Sequence, residues 1–221
     1  MNIIGFLRKP DERLLKDNRV PQLLRTLFYF SITFFLSVAF AVLFLRLGWN
    51  LPTKTTSDDS VAMTFLAVFL FPLFEETIFR LPLKRSKCTV SLSLFVFSFC
   101  LLSKAFGVFY FSTDHLIIRL ALTITATAIL YGFIRKFVYR INYPVFFYSM
   151  ALGFGLIHLF NVDCDGLVFS VPLAIALSWY ILDKAIGGVL YGYARLKHGF
   201  VAAVALHMLN NSPALLLLLF K

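Results

Sequence analysis

Apolar and polar positions fall along this chain in long blocks, not in the short alternations of a soluble domain. Seven apolar segments can be drawn, at about 26–46, 61–82, 88–111, 116–134, 144–161, 167–194 and 200–220. Runs such as Phe28 to Leu45 and Leu116 to Ile134 approach the roughly 20 apolar residues that a bilayer crossing needs. The pattern predicts an all-α, multi-pass transmembrane helical bundle of about seven spans. The sixth segment is the least regular, because its length exceeds one crossing and Asp183 with Lys184 interrupts it. It reads as one long tilted helix, or as a re-entrant piece followed by a shorter span. Splitting it into two full crossings would make eight spans.

Composition agrees with the pattern. Over 221 residues the mean hydropathy is +0.84, with 60% hydrophobic and 14% charged residues, far from the balance of an ordinary soluble domain. Residues 1–25 are polar and carry Arg8, Lys9, Arg13, Lys16, Arg19 and Arg25. The apolar run behind them starts too late for an ordinary cleaved signal peptide and reads as an uncleaved first span. The expected organisation is a basic cytoplasmic segment, 1–25, and a membrane-embedded domain, 26–221.

Charge then orients the bundle. With the N-terminus inside, the inner turns hold Lys84, Arg85, Lys87, Arg135, Lys136, Arg140, Arg195 and Lys197, besides the basic residues of 1–25. The outer loops contribute only Lys54, beside Asp58, Asp59, Asp114, Asp163 and Asp165. Seven spans with the N-terminus inside satisfy the positive-inside rule, whereas eight would move Arg195 and Lys197 outside. A formal charge of +10 would suggest nucleic acid in a soluble protein. Here it flanks apolar runs, so the expected partner is the lipid bilayer, with its anionic headgroups, and no nucleic acid. Cys88, Cys100 and Cys164 show no CxxC spacing and read as packing residues.

Against this background the stretch FPLFEETIFRLP, Phe71 to Pro82, stands out. A charged residue at the bilayer centre costs about 2.5–3.5 kcal/mol on insertion scales, so paired glutamates in such a segment call for a use. Arg80 follows Glu76 by four residues, the helical spacing for an ion pair, which leaves Glu75 uncompensated. One reading ends the helix near Phe74 and leaves the three charges at the interface. The other spans favour a functional reading: His158 follows Phe154 by four residues, and His207 precedes Asn211 by four, each pair on one helical face of its own span. Singly, each histidine could be a neutral ring bridging helices and Asn211 an interhelical contact. His115 and His198 fall in predicted loops, and Lys104, Arg119 and Lys184 read as snorkelling or paired. Carboxylates, two imidazoles and an amide converging from three spans form the inventory for activating water and stabilising an oxyanion.

These residues resemble a family. EETIFR (Glu75 to Arg80) matches an EExxxR motif, FGLIH (Phe154 to His158) an FxxxH motif and HMLNN (His207 to Asn211) an HxxxN motif, in the order found in the CAAX prenyl protease and bacteriocin-processing (CPBP, or Abi) intramembrane proteases. The glycine-spaced helix with Gly187, Gly188 and Gly192, the short basic turn and the histidine helix are similar too. The resemblance covers roughly 71–82 and 152–212. The roughly 70 residues between the first two motifs, enough for two extra spans, depart from the shortest members but keep the orientations: spans two and five antiparallel, five and seven parallel.

The resemblance implies an intramembrane endopeptidase acting on a membrane-associated peptide or protein substrate, in a membrane, and most simply a bacterial plasma membrane. It implies catalytic roles for Glu75, Glu76, Arg80, His158, His207 and Asn211. Glu75, assisted by His158, would activate water; His207 and Asn211 would stabilise the oxyanion; Glu76 and Arg80 would hold the glutamate helix in register. The same residues can be drawn as a zinc site with Glu75, His158 and His207 as ligands. No HExxH signature decides for it, and the metal stays open. The rival class is a catalytically inactive scaffold or escort protein that uses the polar cluster for helix packing or partner binding. A transporter is disfavoured, because no inverted repeat or pair of broken helices is present.

Overall fold

A computed structural model describes residues 3–11, 20–49, 51, 61–163, 169–213 and 215. Arg13, Lys16, Arg19, Lys54, Asp58, Asp59, Cys164, Asp165 and the far end of the seventh apolar segment lie outside the described residues. Within them the secondary structure is helical: α1 (Ile3–Arg8), α2 (Val20–Arg46), α3 (Val61–Phe65), α4 (Phe71–Phe79), α5 (Lys87–Ala105), α6 (Leu116–Arg140), α7 (Tyr143–Ile157), α8 (Val171–Lys197) and α9 (Phe200–Asn211). A π-helical turn, Leu66–Leu70, joins α3 to α4, and 3-10 turns follow α4 and α7.

Among the described residues six stretches are long and apolar enough to cross a membrane: Val20–Arg46, Val61–Leu83, Lys87–Ala105, Leu116–Arg140, Tyr143–Asn161 and Val171–Lys197. The described part of the seventh segment, Phe200–Asn211, is shorter than a crossing. Many large apolar side chains face outward, Phe133, Ile117 and Val201 among the most exposed, and such a surface suits lipid. The sixth segment is one continuous helix, capped at its start by Ser170, whose hydroxyl accepts from the Leu173 amide at 3.3 Å. At 1.5 Å per residue its 27 residues reach about 40 Å, longer than the hydrocarbon core.

Helix α8 owes its place to small residues. A Cβ on Gly155 would lie 2.5 Å from the Ile181 carbonyl, one on Gly188 3.2 Å from Ala151, and one on Gly192 2.7 Å from the Phe147 ring. The numbering falls along α7 as it rises along α8, so the two are antiparallel and share a seam where only glycine fits. On its other side α8 meets α2, also antiparallel: Thr26 faces His198, Phe30 faces Tyr191, and Phe40 packs on Trp179 with ring centres 3.9 Å apart. Because the Thr26 hydroxyl donates to Gln22, His198 Nε2 donates to Thr26 Oγ1, at 2.8 Å. Gly199, at φ +108°, lets the chain turn from α8 into α9 within two residues.

The basic turns gather at one end of the bundle, where they cap helices. Arg195 Nε donates to the Arg80 carbonyl at 3.3 Å, closing the end of α4. Arg85 donates to Val138 and Ile141, each at 2.9 Å, closing α6. Both put a cation at a helix C-terminus, where unpaired carbonyls and the macrodipole favour it. Helix α1 docks at the same end: Phe6 is fully buried, edge-on to Phe147 and Tyr193, and Tyr148 donates to the Leu7 carbonyl. The segment expected only as a polar tail thus contributes two core residues, Ile3 and Phe6. Its helical spacing, three residues apart, had put both on one face.

Candidate functional site

Helix α4 begins where the backbone is irregular. The Phe71 amide bonds to the Leu66 carbonyl, five residues back, so it is not available to Ala67. The next amide in line would be that of residue 72, which is proline and has none. Asn211 supplies the donor instead, its Nδ2 lying 3.2 Å from the Ala67 oxygen. The π turn, Pro72 and the end of α9 are thereby locked together beside the glutamates.

One turn on, Glu75 and Glu76 part. The Glu76 side chain is fully buried, whereas Glu75 is 30% exposed and lines a cavity. His207 joins them: its Nδ1–H donates to Glu76 Oε1 at 3.0 Å, and its Nε2 faces Glu75 Oε2 at 3.5 Å. With Nδ1–H committed to Glu76, Nε2 is the nitrogen left to face the cavity. On the far side of Glu76, Arg80 Nε lies 3.5 Å from Oε2, the ion pair expected from the spacing of four. The order is Arg80, Glu76, His207, Glu75, and it closes contacts between α4 and α9 that are 131 residues apart in sequence.

Phe154 organises this chain of charges. The Arg80 guanidinium stands over its ring, 3.9 Å from the centroid. His207 lies edge-on to the same ring at 5.5 Å and His158 at 4.7 Å. Arg80 has no hydrogen-bond partner on its Nη atoms among the described residues, and its Nη2 lies 3.2 Å from where a Gly188 Cβ would be. Ring face and glycine backbone therefore hold the cation that balances Glu76. Tyr191 stacks on His207, with centroids 4.7 Å apart and planes 14° from parallel, and fixes the imidazole plane.

His158 occupies the first position after α7. Its Nδ1–H donates back to the Phe154 carbonyl at 2.7 Å, which leaves Nε2 as the unprotonated nitrogen of the neutral ring, and His158 too lines the cavity. All the residues expected from the sequence thus converge: Glu75, His158, His207 and Asn211 on the cavity wall, Glu76 and Arg80 buried behind it. The cavity holds about 220 Å³. Its remaining walls include Phe30 and Phe34 of α2, and Asp183, Lys184 and Tyr191 of α8.

The residues outside the motifs carry weaker signals in the sequence. Lys184, Gly187 and Tyr191, with Asp183 beside them, follow at intervals of three and four on one face of α8, a spacing that could have marked a lined surface. Of the residues read as snorkelling or paired, Lys184 is paired, its Nζ 3.3 Å from Asp183 Oδ2. Lys104 lies over the Phe160 ring at 4.1 Å. Arg119 does not snorkel: it is fully buried between α5 and α6, donating to Ser103 Oγ at 2.9 Å and to the Ser112 carbonyl.

Zinc would need a third donor beside Glu75 and His207, and the described residues form no group of three His, Cys, Asp or Glu side chains arranged to hold a metal.

Fold and cavity define a polytopic helical membrane protein with a charged site among its apolar helices. Compared with protein-family models, curated proteins and solved structures, the chain finds no match in any of the three.

Proposed function

We propose that this protein is an intramembrane endopeptidase of the CPBP type, hydrolysing a peptide bond in a membrane-associated peptide or protein. The observation that carries the proposal is His207 held between two glutamates, one buried and one at a cavity that His158 and Asn211 also line. In this reading Glu75 takes a proton from a water whose oxygen attacks the peptide carbonyl. His207 Nε2, protonated, and the second Asn211 N–H stabilise the oxyanion. The C–N bond then breaks as the proton passes to the leaving amine, with His158 Nε2 as its relay.

Charge balance supports these roles. With His207 protonated, Arg80 and His207 offset Glu75 and Glu76, so the four-residue chain is neutral as a whole. Glu76 and Arg80 touch no substrate here; they hold the imidazolium. This refines the expected division of labour, since the described partner of Glu75 is His207.

The topology belonging to this reading has seven spans, the N-terminus inside and the basic end of the bundle at the cytoplasmic face of a bacterial plasma membrane. Pairing of Ala67 with Asn211 and of Glu76 with His207 runs α4 and α9 antiparallel, the sense that the reading requires. A second reading, a scaffold that uses the cluster for helix packing, is favoured by one observation: Asn211 gives a donor to the Ala67 carbonyl.

The test is cleavage of a broad reporter-peptide library by purified protein in liposomes, alongside Glu75→Ala and His207→Ala. The peptidase reading expects activity that both variants lose while remaining folded. Chelator titration of the active protein then separates a metal-dependent from a metal-free reaction. If the variants support the protein's cellular role as well as wild type, the scaffold reading replaces it.

A further inference from the structure

Besides the glutamates of α4, the cavity has polar lining residues on α8. Asp183 and Lys184 sit midway along α8 and both line the cavity, with side chains 19% and 31% exposed. Two charges in the middle of an apolar helix cost several kcal/mol unless they are paired and used. They are paired at 3.3 Å through one carboxylate oxygen, a contact that uses at most one of the three ammonium donors and leaves the others for a third group. Among the described residues Lys184 is the one lysine or arginine that lines the cavity.

The arrangement selects by charge. An anionic group entering the cavity meets one lysine or arginine, Lys184; His207 lies between Glu75 and Glu76, and Glu75 repels the anion from that wall. A cationic group finds carboxylates on both walls and is not sorted between them. Gly187 leaves the strip of α8 between Lys184 and Tyr191 without a side chain, and the nearest atoms to a Cβ there belong to the Tyr191 ring at 3.6 Å. A bound chain can lie along that strip. At about 220 Å³ the cavity is smaller than the 300–1,000 Å³ of typical ligand pockets, so anchor and reacting bond are separated by a short stretch of chain.

We infer that Lys184, held by Asp183, anchors a carboxylate of the substrate and so sets which peptide bond reaches Glu75. The last clause rests on the peptidase reading; the binding of the carboxylate does not. The carboxylate can be a chain terminus or an acidic side chain, since Lys184 offers the same point charge to either.

The experiment uses full-length protein carrying Glu75→Gln in nanodiscs and three pools of randomised octapeptides, with bound peptides quantified by mass spectrometry. One pool has free C-terminal carboxylates and no acidic side chains, the second is the same but amidated, and the third is amidated with one glutamate. At least one carboxylate-bearing pool is expected to bind about tenfold or more tighter than the plain amide. Preference for the first pool assigns the terminus, and preference for the third the side chain. Removing both partners together, by Asp183→Asn with Lys184→Gln, avoids a stranded charge and is expected to bring the ratio to about one without unfolding the protein. Lys184→Arg retains the preference. Equal binding of all pools, binding of none, or a ratio that survives the double substitution overturns the inference. Parallel cleavage assays with Glu75 intact separate the two ideas. Discrimination without cleavage removes the peptidase reading and leaves the anchor. Cleavage of acid and amide pools alike, with equal binding, removes the anchor and leaves the peptidase.

Discussion

Asn211 Nδ2 donates to the Ala67 carbonyl at 3.2 Å, a bond that exists because Pro72 cannot supply the amide which would otherwise serve that oxygen. Asn211→Ala therefore strands a carbonyl inside an apolar bundle. It is expected to lower stability by about 0.5–2 kcal/mol, the range for interhelical hydrogen bonds in membranes. Pro72→Ala, by returning an amide, should recover part of that loss in the Asn211→Ala background and little in wild type. Thermal unfolding of the four proteins in one detergent checks it; additive effects would show that the two sites are independent.

The seam between α7 and α8 predicts where an added methyl matters. Gly155→Ala and Gly192→Ala would put a Cβ 2.5 Å from the Ile181 carbonyl and 2.7 Å from the Phe147 ring. Each is expected to cost about 1–3 kcal/mol by overpacking. At Gly132, in α6, nothing lies within 4 Å of a Cβ. Gly132→Ala should be neutral or stabilising by up to about 1 kcal/mol, as in an ordinary helix interior. Melting temperatures of the three variants should fall into these two groups.

Arg80 compensates Glu76 in a place closed to water. Arg80→Met leaves a buried carboxylate with only His207 beside it and is expected to destabilise by about 3–5 kcal/mol, while Arg80→Met with Glu76→Gln should be markedly less harmful than the two single effects added. Denaturation of the full double-mutant cycle reads the coupling. Because the guanidinium lies over the Phe154 ring at 3.9 Å, Arg80→Lys should not restore wild-type stability.

Tyr191 fixes the His207 ring by stacking on it. Tyr191→Phe keeps the ring face, and under the proposed reaction should retain peptidase activity within about threefold. Tyr191→Ala frees the imidazole and should lose tenfold or more, as expected when a reacting group is misplaced by about an ångström. The split between the two variants, measured on one peptide, distinguishes ring placement from a role for the hydroxyl.

The sequence alone determined what apolar periodicity and local spacing can carry. Block length set the helical class and most of the spans, because a helix that crosses lipid must satisfy its backbone internally over about 20 residues. The spacing of four placed Arg80 on Glu76, since that contact lies within one helix. The tertiary structure decided what crosses helices. That His207 bonds Glu76 and also faces Glu75, that Asn211 serves Ala67 before any substrate, and that Asp183 and Lys184 share their cavity all depend on how α8 and α9 dock. Docking follows from glycine contacts along the seam of α7 and α8, at Gly155 on α7 and at Gly188 and Gly192 on α8, and from a proline that removes one amide. Periodicity reports which face of a helix is apolar. It does not report which residue of a distant helix arrives at that face, because that is fixed by close packing between surfaces far apart in the chain.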